Sequence, residues 1–202
     1  MIWNIKNGAL QLEHPLIMGI LNLTPDSFSD GGQFLGPEQA LRRAIRLVQD
    51  GADLLDLGAE STRPNAFPVS EQEELDRLLP VLELIVKEIQ VPISIDTTKS
   101  KVAKEALSRG AHIVNDVSGL KQDPELGKIV SEHGAGIVLM HRRGTPETMQ
   151  LMTQYHDLMG DLIKELSESM ASAESFGISR DQIVLDPGVG FSKTPEQNLE
   201  LL

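Results

Sequence analysis

Short apolar runs alternate with amphipathic helical stretches along the whole chain, and a polar residue stands at or just past the C-terminal end of each run. These two observations predict an α/β fold, a (β/α)8 TIM barrel with only about the first six βα units present. The runs are continuously apolar rather than alternating, so their strands should be buried on both faces, as in a parallel sheet. A doubly wound open sheet accounts for that much but gathers its site at one switch point. Here Asn22, Glu60, Asp96, Asn115, His141 and Asp186 follow successive runs, the pattern of a barrel's catalytic rim.

Each element has its own signal. Residues 2 to 12 alternate loosely around Asn7-Gly8, which predicts a hairpin able to cover the bottom of a barrel. Leu16 to Leu21 reads as the first buried strand, and Thr24-Pro25 and Asp30-Gly31-Gly32 then forbid a continuing strand or helix. Pro37 to Asp50 sets Leu41, Ala44, Ile45 and Val48 at helical spacing and stops at Gly51. Asp53 to Leu57 is the second strand. Ser70 with Glu73 forms a capping box for a helix whose inner face is Leu75, Leu78, Leu82, Ile85 and Ile89.

Val91 to Asp96 is the third strand, Ser100 to Ser108 a helix ending before Gly110, and Ala111 to Asn115 the fourth strand. Asp123-Pro124 reads as an N-cap with proline at the first helical position, and that helix ends near Gly134. Gly136 to His141 is the fifth strand. A loop over residues 142 to 149 leads to a helix with Tyr155, Leu158, Met159, Leu162, Leu166 and Met170 on one side, and Gln182 to Asp186 is the sixth strand. Thr194-Pro195 opens a helix that reaches Leu202 without a breaker or charged finish. A barrel of this type takes about 250 residues, so the sequence predicts a C-terminally truncated one, with unpaired edges at its first and sixth strands that favour association.

At 202 residues the chain is expected to be one domain, 1–202, incomplete at its C-terminus. It has no apolar run near ~18 residues, hence no membrane span. The N-terminus lacks a basic start and an apolar signal core. With no cysteine there are no disulfides or thiolate metal sites, which fits a cytoplasmic chain. A formal net charge of -12 argues against nucleic acid or an anionic membrane surface as partner, since both need a basic face. An anionic substrate would then rest on local cations or a bound divalent metal.

The stretch Met18-Gly-Ile-Leu-Asn-Leu-Thr-Pro-Asp-Ser-Phe-Ser-Asp-Gly-Gly32 closely resembles the signature of the dihydropteroate synthase family, and the resemblance runs from Leu16 to Leu202. It implies a sulfonamide-target transferase of folate biosynthesis, usually dimeric when full length. The reaction it implies condenses 6-hydroxymethyl-7,8-dihydropterin pyrophosphate with p-aminobenzoate, giving 7,8-dihydropteroate and pyrophosphate. A pterin presents a ring N–H beside an exocyclic amine, and one carboxylate accepts from both. Asp186, in Leu-Asp-Pro-Gly-Val-Gly-Phe191, takes that role first. Asp96, in Ser-Ile-Asp-Thr-Thr-Lys, and Asn115, in Ile-Val-Asn-Asp-Val-Ser-Gly, would bond the rest of the ring, with Met140 as apolar contact and Phe191 beside the substrate.

By the same resemblance, Asn22 helps hold Mg2+ and the pyrophosphate, an amide oxygen suiting that ion. Thr62, Arg63 and Pro64 belong to a mobile second loop whose arginine clamps the leaving group or the aromatic amine. Phe28 and Asp30 belong to a first loop that closes over the aromatic substrate. Asp56 and Glu60 are expected to be mainly structural or to support the residues that touch the substrate, and His141 a satisfied rim histidine. Arg142 stands where the family usually has methionine and Ser192 where glycine is common, and the family's Ser-Arg-Lys and Arg-x-His motifs are absent from the 202 residues. The alternatives are a methyltetrahydrofolate:corrinoid methyltransferase-like barrel, which would not use Mg2+ or the first loop, and a non-catalytic pterin-binding paralogue.

Overall fold

In a computed structural model of the chain, which describes residues 1–24, 36–61 and 68–202, the alternation is carried through in order. An antiparallel hairpin, β1 (Ile2–Ile5) and β2 (Gly8–Gln11), precedes β3 (Met18–Asn22), α1 (Pro37–Gln49), β4 (Leu54–Gly58), α2 (Glu71–Glu88), β5 (Ile93–Asp96) and α3 (Ser100–Ser108). There follow β6 (Ile113–Asp116), α4 (Glu125–His133), β7 (Gly136–Met140), α5 (Leu158–Ser175), β8 (Ile183–Asp186) and α6 (Pro195–Glu200). Strands β3 to β8 form one parallel sheet in strictly sequential order. A doubly wound sheet reverses its order at the switch point; this one does not, and curves as an arc of six consecutive βα units.

The pleat sorts each strand's residues onto two faces. Leu21, Leu55, Leu57, Ile95, Val114, Ile137 and Leu139 point outward into the main core, against Leu78, Leu82 and Ile85 of α2, Val102 and Leu107 of α3 and Leu126 and Val130 of α4. The alternate residues line the inside of the arc, where the chemistry changes with height. Met18, Leu54, Ile113, Val138 and Val184 at the bottom form a second apolar cluster, closed from below by Trp3 and Ile5 of the hairpin. Two residues further up each strand stand Ile20, Asp56, Asn115, Met140 and Asp186. The expected bottom cover is therefore present, and it is anchored: Trp3 Nε1–H donates to the Gln182 carbonyl (2.9 Å) and the Lys6 N–H to the His112 carbonyl (3.2 Å).

Local signals hold with a few corrections. The hairpin turns on Lys6-Asn7 rather than Asn7-Gly8, because Gly8 pairs with Ile5 and Asn7 carries the left-handed conformation at φ 63°. At α2 the Ser70 hydroxyl accepts from the Glu73 N–H (3.2 Å), but the Glu73 carboxylate turns to Arg77 one turn on, so only half of the capping box forms. Asp123 caps from one residue further out than expected. Its carboxylate accepts from the Glu125 N–H (3.0 Å) and also from the Ser100 N–H (2.8 Å), tying α4 to the start of α3. The inner face of α5 is narrower than its periodicity suggested: Leu158 and Leu162 are buried and Leu166 and Met170 half-buried, while Met159 is 44% exposed and Tyr155 lies before the helix. Thr194 and Gln197 form a complete capping box on α6. No helix among the described residues is long and apolar enough to cross a membrane.

Trp3, 5% exposed, is the largest side chain sealing the interior from below. Trp3→Ala should cost about 3 to 5 kcal/mol through lost burial and an unfilled cavity, read as a lower midpoint in chemical denaturation.

Candidate active site

The upper interior of the arc is a cavity of about 290 Å3 lined by Asn22, Asp56, Asp96, Asn115, Met140, Asp186 and Phe191, with Ile20, Val117 and the neighbouring rim. Six residues expected at the site, Asn22, Asp96, Asn115, Met140, Asp186 and Phe191, thus converge on one space from five strands and one loop. Phe28, Asp30, Thr62, Arg63 and Pro64 lie outside the described residues. The parallel register does the gathering: Asn22 pairs with Gly58, Gly58 with Asp96, Asp96 with Asn115, and Met140 with Asp186. Gly58 has no side chain between Asn22 and Asp96, which leaves the rim open there.

Asp56, expected to be structural or to support the site, holds Asn115 and also reaches the lining. It is 4% exposed, its Oδ2 accepts from Asn115 Nδ2–H (3.0 Å), and its Oδ1 has no partner. Asn115 Oδ1 is likewise buried and unpartnered. Burial raises the Asp56 carboxyl, against the Asn115 hydrogen bond that lowers it. Asp96 is pushed well above the usual carboxylate range, first by burial and then by repulsion from Asp56, Glu74, Asp116 and Glu60. Acceptors thus crowd a poorly solvated space, and buried acceptors without donors are costly. The arrangement favours a ligand that brings N–H donors.

Asp186 is held for the same task. Its Oδ1 accepts from the Gly188 N–H (2.7 Å), and its carbonyl accepts from the His141 N–H (2.9 Å). Gly188 is needed twice over: its φ is 69°, and a Cβ there would lie 2.1 Å from the His141 carbonyl oxygen. Glu60 lines the cavity too, and its carboxylate fits the supporting role expected of it. Its carboxylate accepts from the Val69 N–H (2.9 Å) and from Lys99 (2.8 Å), and Lys99 also bridges to Glu74 (2.5 Å), a fully buried acid of α2 that the sequence did not single out.

His141 is a satisfied histidine, as expected, but its partners were not foreseen. The ring is fully buried, with Nε2–H donating to Glu165 Oε2 (3.1 Å) and Nδ1 accepting from Lys193 (3.2 Å). Lys193 also donates to the carbonyls of Gly188 and Phe191 (both 2.9 Å), so one buried ammonium braces the loop that carries Asp186. Burial, then the Lys193 charge, lowers the imidazole to about 4, and burial lowers Lys193 to about 8. Ser192, with φ 54°, occupies a left-handed position that glycine fills without strain. Its hydroxyl offsets this by accepting from the Arg143 N–H (2.9 Å) and donating to the Arg143 carbonyl (2.7 Å), which joins the loops after β7 and β8. The only hint of this brace in the sequence is a lysine seven residues after Asp186.

The His141 ring should stay neutral down to a pH of about 4. Lys193→Met should move its titration upward by removing the adjacent cation, as followed by the imidazole resonances in NMR.

The Pterin_bind family, described as pterin binding enzyme, matches residues 18–202. A dihydropteroate synthase of Synechocystis sp. is 49% identical over 186 residues, covering 92% of this chain and 64% of that protein. That of Bacillus subtilis is 48% identical over 198 residues, 98% of this chain and 67% of that protein. The chain thus spans about two thirds of the length of these relatives. The crystal structure of Yersinia pestis dihydropteroate synthase with a sulfonamide drug matches the fold at a TM-score of 0.93 and 42% identity, over 100% of this chain and 73% of that one. Burkholderia cenocepacia dihydropteroate synthase complexed with 7,8-dihydropteroate matches at 0.83 and 39% identity, over 96% and 65%. With its family model matched from β3 to Leu202 and relatives near half identity, this chain belongs to the pterin-binding enzymes, in the dihydropteroate synthase family.

Proposed function

We propose that this chain binds a 6-hydroxymethyl-7,8-dihydropterin pyrophosphate and contributes to its condensation with p-aminobenzoate, the dihydropteroate synthase reaction. The observation that carries this reading is the pair of buried, unpartnered acceptors, Asp56 Oδ1 and Asn115 Oδ1, in a cavity that also presents Asp96 and Asp186. A pterin edge supplies N–H donors to such a set. One carboxylate, Asp186 in this reading, accepts from the ring N–H and the exocyclic amine together, while Asp96 and Asn115 take the remaining groups and Met140 and Phe191 pack on the ring. A ligand lacking the donors would leave the acids unpaired and be rejected.

In the reaction the C–O bond to pyrophosphate breaks, its electron pair leaving with the phosphate. The arylamine nitrogen then bonds to the pterin methylene carbon and loses a proton. Positive charge developing on the ring is favoured by Asp96 and Asp186. No covalent nucleophile is needed. For the leaving group we propose Asn22 as a protein ligand to Mg2+, and Arg63 as a clamp. Among the described residues no three His, Cys, Asp or Glu gather as a metal site. The donors fit an ion that keeps its waters and arrives with the phosphate, as Mg2+ does, better than a resident ion. When bound, Mg2+ would neutralise charge on the departing pyrophosphate.

Asp96→Asn and Asp186→Asn should each weaken binding of a pterin analogue at least about tenfold, because each sets a donor against donors. Calorimetric titration measures this, and unchanged affinity in both variants would remove the pocket assignment. Affinity should also fall as the pH drops through the raised range of Asp96, since the protonated acid presents a donor of its own where the carboxylate only accepted. Dihydropteroate formation should stop with excess chelator and decline in Asn22→Ala and Arg63→Ala, and full turnover under chelation would defeat the leaving-group argument.

A further inference from the structure

The loop that leaves β8 contributes two residues to the candidate pterin space, Asp186 at the strand's end and Phe191 beyond it. Phe191 lies in no helix or strand, and around it the chain turns at Gly188, Gly190 and Ser192, all at positive φ. Such a segment keeps one conformation only if something outside regular structure holds it. The Lys193 ammonium, 3% exposed, reaches the carbonyls of Gly188 and Phe191 and, across to the strand before, His141 Nδ1.

An ammonium has three hydrogens and no lone pair, and each hydrogen here has its own acceptor. His141 accepts at Nδ1 only as the tautomer protonated on Nε2. Glu165 Oε2 (3.1 Å) holds that proton, and Arg143 Nε (2.8 Å) fixes the same carboxylate from the other side. A neutral amine brings two hydrogens and a lone pair. It would leave a loop carbonyl or the imidazole nitrogen buried without a partner, which is costly. The brace is therefore complete only while Lys193 carries its charge.

We propose that Lys193 is a positioning residue for pterin recognition, its three simultaneous hydrogen bonds holding Asp186 and Phe191 where they meet the ring, so that loss of its proton loosens the pocket. This rests on the pterin reading given above and assigns that site a pH limit. The charged and titratable groups around the ammonium are Asp186 on its own loop, His141 and Arg143 after β7, and Glu165 of α5, with Lys121 and Tyr155 beyond them. Burial outweighs the attraction of Asp186 and Glu165 and brings Lys193 down to about 8, Arg143 adding to the fall. Because the bound state needs the proton, affinity is fully present below that pH and is lost as the pH rises through it, and bound pterin must in turn raise the lysine's pKa.

Calorimetric titration with 6-hydroxymethylpterin compares the wild-type chain with Lys193→Met from about pH 7 to about pH 9.5. At the lower pH Lys193→Met should bind at least about tenfold more weakly, and the ratio of the two affinities should fall toward one as the pH rises. Titration of the ligand's own ring N–H acts on both proteins alike and cancels in that ratio. Should Lys193→Met fail to fold, the ε-carbon resonance of Lys193 in the wild-type chain supplies the test by NMR, where bound pterin should move its titration to higher pH. Equal affinities at about pH 7, a ratio constant across the range, or a Lys193 titration unmoved by pterin would each overturn the proposal. The pterin reading itself stands or falls on Asp96→Asn and Asp186→Asn: weakened binding there beside an unmoved Lys193 titration removes only the role given to the lysine.

Discussion

The hydrogen-bonded register of the six parallel strands is the constraint on which the rest of the molecule depends. Side chains alternate faces along a strand, so a slip of one residue would turn Ile95 inward and Asp96 into the helix layer. With the observed pairing, apolar residues fall at the bottom of the interior and acceptors at the top on every strand. The hairpin then has a dry surface to close, and the mouth has a concentration of acids to present.

That concentration has to be maintained against its own repulsion. An acidic protein with Asp56, Asp96 and Asp116 raised by burial is stable only if other charges near the mouth are satisfied. Lys99 fixes Glu60 and Glu74 together, and Lys193 braces the loop that aims Asp186. Each cation is placed so that the acids facing the cavity keep free lone pairs. Pre-organised acceptors of this kind bind strongly because little of the binding energy is spent on ordering them.

Much of this was legible in the sequence because it is local. Strand ends followed by polar residues placed Asn22, Asp96, Asn115 and Asp186 around one interior, the family resemblance added Met140, and caps at Ser70, Asp123 and Thr194 marked helix starts within a residue or so. What escaped joins residues far apart in the chain. The Glu74–Lys99 pair joins α2 to the loop after β5 and has no local signal, and Lys193–His141 depends on two loops meeting across strands β7 and β8. Nothing in the segment around Asp56 says which face of the pleat it occupies relative to Asn115, so its place in the lining itself was not legible. The width of the inner face of α5 was overread for a related reason: spacing does not say how much of a stripe the neighbours will cover.

The three acceptors around Lys193 have a consequence for its chemistry. An amine reacts with acylating reagents through a free lone pair and an open approach, and this one has neither in the observed arrangement, although burial brings its pKa to about 8. Were the Asp186 loop to lift, the same lysine would become one of the ordinary labelling sites of the protein. Its acylation rate would therefore report any opening of that loop, a clock built into the native sequence that needs no introduced probe.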